Sequence, residues 1–259
     1  MYWREGSFMA RWHTVAASLR EAIANGTYGP GDTIPKEEEL ESLHGVSRST
    51  VRRAVAQLTA EGLLTPVRRG GTKVRERRER SRITRARTVY RDERGYYFDP
   101  SARPWVAVRP PVVRWGPAPH DIAHVLGVEP GSEVLIRDRV MGDPQTRDPI
   151  QLSTSYLPAD LAKGTVLAEA DTGSGGIYDR LEEAGHGPLR WSEVVVASAP
   201  SDADTDALRL TPGVPLLRLI RTTRSADGRV LEVNDCRMSG ERWEIGYEIL
   251  RDGSAEFGL

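Results

Sequence analysis

The chain carries a single cysteine, Cys236, among 259 residues. One thiol closes no internal disulfide and builds no cysteine-based metal cluster, which excludes a disulfide scaffold and a zinc ribbon. Long hydrophobic runs are missing too. The longest are strand-sized, as in EVVVASA at 193–199, far short of the roughly 20 apolar residues of a membrane-spanning helix. No secretory signal pattern opens the sequence, so the expected location is the cytoplasm, with no membrane partner. The glycine-rich stretch DTGSGG at 171–176 has no Gly-Lys-Ser/Thr after it. It reads as a plain loop rather than a nucleotide-binding loop, with an anion cradle at the following helix as the alternative. His120 and His124 stand one helical turn apart, but no third ligand accompanies them, and surface histidines are the expectation. No Ser/His/Asp triad or paired-acid constellation stands out. These absences lead to an expected non-enzyme without metal or cofactor. What remains, 39% apolar and 28% charged residues, is ample material for a globular core.

Net charge is −1, and that near-neutrality conceals an uneven distribution. Residues 1–87 hold 17 Lys/Arg against 10 Asp/Glu, whereas 88–259 hold 19 against 27. A basic segment on an acidic body suggests a polyanionic partner for the first part alone. In GVSRSTVRRAVAQLTAEGLL, from Gly45 to Leu64, the residues Val51, Ala54, Val55 and Leu58 recur at helical spacing. Ser47 stands at the N-cap position and Gly62 after the last turn. The other face offers Arg48, Ser49, Arg52, Arg53 and Gln57, with no acid before Glu61. A solvated face mixes charge signs; this one does not. Upstream, Trp12, Val15, Ala16, Leu19 and Ile23 mark one helix, and Pro35 opens a short second helix with Glu37, Glu38 and Glu39 near its positive end. The spacing predicts a helix-turn-helix. LLTPV and TKV then flank Arg68-Arg69-Gly70-Gly71, a strand–turn–strand wing with a basic tip suited to phosphate or minor-groove contact. The charge run RERRERSRITRAR at 75–87 reads as a solvated linker, with a DNA-gripping arm as the alternative. Expected domains are a DNA-binding head at 1–75, a linker at 76–95 and a second domain at 96–259.

The second part contains a repeat. PAPHDIAHVLGVEPGSEVLIRDRV matches SAPSDADTDALRLTPGVPLLRLIRTT at an offset of 82, and PIQLSTSYL falls on VLEVNDCRM after one slipped residue. Each copy reads as strand, short helix, Pro-Gly turn, strand, hairpin, strand, which implies a mainly antiparallel sheet with flanking helices, an α+β domain. Such a duplicated sheet is expected to leave a pocket between its halves. Arg137 and Arg139 alternate along one strand and share a face, so they require an anion, either an effector group or the nearby Asp138 and Glu133. Gln151, Ser153 and Ser155 also share a face and can join the pocket, while Tyr156 lies opposite and joins it only if the strand bends or ends there. Glu232, Asn234 and Arg221 are the second-copy counterparts. Trp105, Trp115, Trp191 and Trp243 read as core or lid.

Ile34-Pro35 with Glu37, Glu39 and Leu40, then GVSRSTVRRAVAQLTAEGLL and GGTKV, resemble the winged helix-turn-helix of GntR-type transcriptional regulators. LGVEPGSEVLIRDRV, PIQLSTSYLPADL, IYDRLEE, the second repeat and WEIGYEI resemble the ligand-sensing domain of the HutC branch, whose fold is like that of chorismate lyase. The resemblance implies DNA contact by Ser47, Arg48, Ser49, Thr50, Arg52 and the wing residues Arg68 to Gly71. Arg53 and Lys36 are read as phosphate contacts. It also implies that the arginine pair holds an acidic group of an effector. Where the family often has a serine and then an arginine in the second helix, this chain has Lys36 and Glu38. The expectation is a ligand-responsive regulator, a repressor acting as a homodimer on double-stranded operator DNA and released by a small anionic effector. The alternatives are a chorismate-lyase-like enzyme and a constitutive DNA-binding protein.

Overall fold

Apolar residues at helical spacing near the start of the chain close into a small core of their own. A computed structural model describes residues 11–76, 80–85, 88–92, 95–98 and 104–249. The chain divides into two units, one of residues 1–79 with 211–214 and the other of the remainder.

In the first unit, α1 (Arg11–Ala24), α2 (Glu37–His44) and α3 (Arg48–Ala60) precede β1 (Leu64–Val67) and β2 (Gly71–Val74). Val15, Ala16 and Leu19 of α1 meet Leu40 of α2 and Val51, Ala54 and Leu58 of α3 in one buried cluster. Trp12, Ile23 and Val55 pack at its margin. Gly45 ends α2 in the left-handed region, φ 60°, the conformation that lets the chain turn into α3 after only three residues. β1 and β2 pair antiparallel from Leu64↔Val74 to Val67↔Gly71, and Thr33 bridges to Lys73. The helix-turn-helix and its wing stand where the sequence puts them.

The second unit begins with β3 (Ser81–Arg85), β4 (Tyr90–Asp92), β5 (Gly95–Tyr97) and β6 (Val106–Ala107). The first repeat follows as β7 (Val112–Pro117), α4 (His120–Leu126), β8 (Glu133–Gly142) and β9 (Pro149–Pro158). Short helices α5 (Ala159–Ala162) and α6 (Gly176–Leu181) fill the interval. The second repeat is β10 (Arg190–Ser198), α7 (Asp202–Leu208), β11 (Leu216–Arg224) and β12 (Val230–Ser239), and β13 (Trp243–Tyr247) follows. Seven strands form one sheet in the order β10-β11-β12-β9-β8-β6, with β7 also paired to β8. Among the described residues, every strand pairing apart from the parallel β13–β3 pair is antiparallel. Ile122, Ala123 and Leu126 of α4 pack on Val134, Ile136 and Val233, one face of the sheet. Ile177, Tyr178 and Leu181 of α6 pack on Leu135, Leu157 and Leu231, the other face. No helix among the described residues is long and apolar enough to cross a membrane.

The stretch 76–95 departs from the linker expected there, although 77–79, 86–87 and 93–94 lie outside the described residues. Ser81–Arg85 is a strand paired in parallel with Trp243–Tyr247, and Tyr90–Asp92 pairs with Gly95–Tyr97 as a hairpin. The reason is a short alternation inside the charge run. Ile83 and Arg85 point inward, 3% and 9% exposed, while their neighbours face water. Ile83 packs with Leu219, Cys236 and Met238. Ile83→Ala is therefore expected to cost the second unit roughly 2–5 kcal/mol in urea unfolding, as buried Ile→Ala changes do. A change within about 0.5 kcal/mol, usual for surface positions, would return this segment to a linker.

Candidate functional site

The outward face of α3 gathers the predicted head residues. Ser47, Arg48, Ser49, Arg52 and Arg53 are exposed and Thr50 half-buried. Ser47 precedes the helix, its hydroxyl 3.0 Å from those of both Ser49 and Thr50. Glu37, at the start of α2, binds both nearby arginines. It accepts from Arg48 Nε at 2.6 Å and from Arg52 Nε at 3.1 Å. Both arginines bind through Nε, so the two terminal nitrogens of each fork stay free to donate elsewhere. The hydrogen bonds from Arg48 and then Arg52 hold the Glu37 carboxyl below the usual range. Arg53 instead lies over the Trp12 ring, 4.8 Å from its centroid, a cation–π contact. Lys36 is exposed at the N-cap of α2, its backbone N–H donating to Glu39 at 2.8 Å. At the wing tip Arg68 and Arg69 face water. The turn that carries them demands glycine: a Cβ on Gly70 would meet Val67 Cγ1 at 2.8 Å, and Gly71 sits at φ 78°. The glycines shape the tip, and the arginines supply its charge.

In the second unit the repeat explains the pocket. β9 and β12 pair at the middle of the sheet, and Thr154 lies directly opposite Asp235. These two occupy equivalent places in the repeat, so a pseudo-two-fold axis passes through their pair. On one side of it Arg139 pairs with Ser153, and on the other Arg221 pairs with Asn234. All four residues line one pocket of about 350 Å³. Arg139 donates to Ser153 Oγ at 3.2 Å and Ser155 Oγ at 3.0 Å, neutral hydroxyls only. It has no acid partner among the described residues. Arg221 is anchored differently: it binds Glu193 at 2.6 Å and stacks its guanidinium 3.4 Å from the Phe98 ring centroid. Arg85 shares the same carboxylate. Burial works against the Glu193 charge, but Arg221 and Arg85 outweigh it and hold the carboxyl below its usual range. Burial raises the Cys236 thiol, which also lines the pocket and stays neutral.

The β4–β5 hairpin completes the lining with Asp92, Gly95 and Tyr96. Arg91 ties it to Asp179 of α6 at 2.8 Å, and Tyr96 donates to Glu182 at 2.7 Å. That hydrogen bond, aided by burial, pushes the Tyr96 hydroxyl up to about 12. Gly175 and Gly176 line the pocket at the start of α6. A Cβ on Gly175 would fall 1.9 Å from Asp179, the acid that holds the hairpin.

Of the expected effector residues, Arg139, Gln151, Ser153, Arg221 and Asn234 line the pocket. Ser155 lies just behind, fully buried, accepting from Arg139 and Asn234. Three others do not line it either. Arg137 shares the face of Arg139, but its guanidinium donates to the backbone carbonyls of Leu167 at 2.7 Å, Ala170 at 3.2 Å and Glu169. It binds neither an open pocket nor the expected acids. Asp138 pairs with Arg114, and Glu133 with Lys163. Glu232 is fully buried and accepts from Thr223 at 2.9 Å. Tyr156 packs on the opposite face beside α4. Among the tryptophans, Trp105 lines the pocket and meets Trp243 edge to face, Trp191 joins the core under α6, and Trp115 is partly exposed beside Lys163. His120 and His124 are exposed on α4. Sequence reading missed Arg85, Tyr96, Phe98, Tyr178 and the anchoring Glu193. Arg85 had one usable signal, its spacing of two from Ile83.

Comparison with known proteins follows the same division. Residues 12–74 match the family of bacterial regulatory proteins, gntR family, and residues 112–244 match the UTRA domain. An HTH-type transcriptional regulator of Rhizobium meliloti is 30% identical over 250 residues, 93% of this chain and 95% of the relative. The HTH-type transcriptional repressor NagR of Bacillus subtilis is 26% identical over 235 residues, 90% and 91% of the two chains. The crystal structure of a GntR-family transcriptional regulator superposes with a TM-score of 0.65 at 25% identity, over 94% of this chain and 99% of that one. With a winged head, a duplicated antiparallel sheet and both family matches in register with them, the chain belongs to the GntR family of transcriptional regulators, in its HutC-like branch with a UTRA domain.

Proposed function

We propose that this ligand-responsive DNA-binding regulator is a repressor that acts as a homodimer and leaves its operator when a small anionic effector occupies the pocket. A two-fold protein reads a two-fold site, and one winged head buries too little surface to be specific alone. The observation that carries the effector reading is Arg139. It is a guanidinium in a pocket, offered only neutral hydroxyls, with an anchored arginine at the equivalent place across the pseudo-axis. An anion with further hydroxyls or amides suits that arrangement, with Gln151, Ser153 and Asn234 donating or accepting around it. Release of DNA then follows as a population shift, which requires the effector to favour one state over the other. In the head, Arg48 and Arg52 are the base readers. Glu37 sets their planes, and Lys36, Arg53, Arg68 and Arg69 supply phosphate contacts.

Effector binding is read by thermal shift against a panel of small carboxylates and phosphates. Arg139→Ala is expected to weaken the active compound tenfold to a hundredfold, since a hydrogen bond to a charged group is worth about 1.5–3 kcal/mol and a decade about 1.4. Arg137→Ala should act in the reverse sense, lowering stability by about 1–3 kcal/mol or more through its orphaned carbonyls while leaving affinity nearly unchanged. Equal affinity losses for both variants would remove Arg139 from the site.

DNA reading is tested on the chain's own upstream DNA beside a random duplex. Arg48→Ala should weaken specific binding by about 1–3 kcal/mol. Glu37→Ala should instead tighten binding to random DNA, by removing a negative charge from the interface, and lower the ratio of specific to random affinity. If Glu37→Ala leaves that ratio unaltered, the carboxylate does not orient the arginines.

A further inference from the structure

A second cavity, of about 420 Å³, shares no lining residue with the pocket of Arg139 among the described residues. Its volume lies within the range of small-molecule sites. The floor is apolar and belongs to the core: Leu161 of α5, Leu167 of the turn that follows and Leu181 of α6 are all buried. Val166 stands beside them 43% exposed, an apolar side chain left open to solvent. One wall forms where α6 runs into a wide π turn, Glu182–His186, with Gly185 at φ 88°. This turn carries Ala184 and His186 to the cavity. Such turns are rare and recur at functional sites.

Two guanidiniums reach the cavity, Arg180 from α6 and Arg229 from the hairpin between β11 and β12. Each is paired with an acid that stands largely in solvent. Arg180 donates to Glu183 at 2.6 Å and Arg229 to Asp160 at 2.5 Å, and these carboxylates are 62% and 68% exposed. Exposed pairs of this kind contribute little, so another anion displaces the acid at small cost. Arg180 itself is only 24% exposed, and its Nε is shut off from water with no hydrogen-bond partner among the described residues. The cavity therefore joins an apolar floor to a mostly buried cation whose acid is easily replaced.

We propose that this cavity is a second small-molecule site, for a monocarboxylate with a short apolar body. The ligand carboxylate takes the place of Glu183 on Arg180, and the body covers the three leucines and Val166. Two arginines and two acids line the cavity, so displacing one acid makes room for one negative charge. A carboxylate meets that need, whereas a phosphate dianion exceeds it.

The full chain is titrated with phenylacetate by isothermal calorimetry, with phenylacetamide as its uncharged counterpart. Phenylacetate is expected to bind with a dissociation constant of about 1 mM or tighter, within reach of a ligand of about ten non-hydrogen atoms. The amide should bind at least tenfold more weakly, because it forgoes the charged hydrogen bond. Arg139 also offers a cation, so two variants separate the cavities. Arg180→Met should weaken phenylacetate tenfold or more, and Arg139→Ala should leave that binding within twofold. A further variant stands if Arg180→Met misfolds: Ala184→Trp, at an exposed position, fills the cavity with both arginines in place and should abolish binding. Four results would overturn the proposal: no binding by the wild type, an amide that binds as well as the acid, an Ala184→Trp variant that still binds, or a loss confined to Arg139→Ala. The last would put phenylacetate in the effector pocket and leave the proposed function standing.

Discussion

The second unit depends on one pairing, that of β9 with β12 at the centre of the sheet. Because Thr154 and Asp235 occupy equivalent places in the repeat and lie opposite each other, the duplicated sequence becomes a duplicated surface. The side chains on one face of that pair, Asp235 with Arg218 and Arg237, belong to an ion-pair network that reaches Asp121 of α4 and Asp204 of α7. The alternate residues, Ser153, Ser155, Asn234 and Cys236, turn to the other face and build the floor of the pocket. A slip of one residue would exchange the two sets. Pocket chemistry and helix anchoring are therefore fixed by the same register.

Symmetry of position does not give symmetry of role. Arg139 and Arg221 are repeat equivalents, yet Arg221 is paired with Glu193 and held against Phe98, while Arg139 meets only hydroxyls. The difference comes from what the single-copy segments deliver. β3 brings Arg85 to the shared carboxylate, and the β4–β5 hairpin brings Asp92 and Tyr96. One arginine is thus tied to an acid, and its twin is not. The same economy appears in the head, where Glu37 engages two arginines by their Nε atoms without occupying their forks. In both units a carboxylate fixes the orientation of cations. In neither does it satisfy all of their donors.

Much of this was legible in the residues. Helical periodicity placed α1 to α3, the glycine-bearing turn placed the wing, and the repeat gave the sheet its composition and its pocket face. These features depend on local spacing, and a period of 3.6 or 2 is written directly in the order of residues. The uniform sign of charge on α3 was equally local, and it pointed to the arginines that stand exposed there.

Other features required contacts between residues far apart in the chain. The sequence shows that Arg137 and Arg139 share a face, because alternation along a strand is a property of the strand. It does not show that the backbone near Leu167 passes over one of them and leaves the other open, since that depends on where a distant loop crosses the sheet. Arg85 reads as one charge in a basic run until Glu193, more than a hundred residues away, supplies its partner. Glu37 reads as a helix-capping acid until α2 and α3 pack side by side. The sequence by itself determined the elements, their faces and the class of chemistry they carry. Only the tertiary structure decided which charges are consumed in holding the fold and which remain to bind, because that division is a matter of proximity in space.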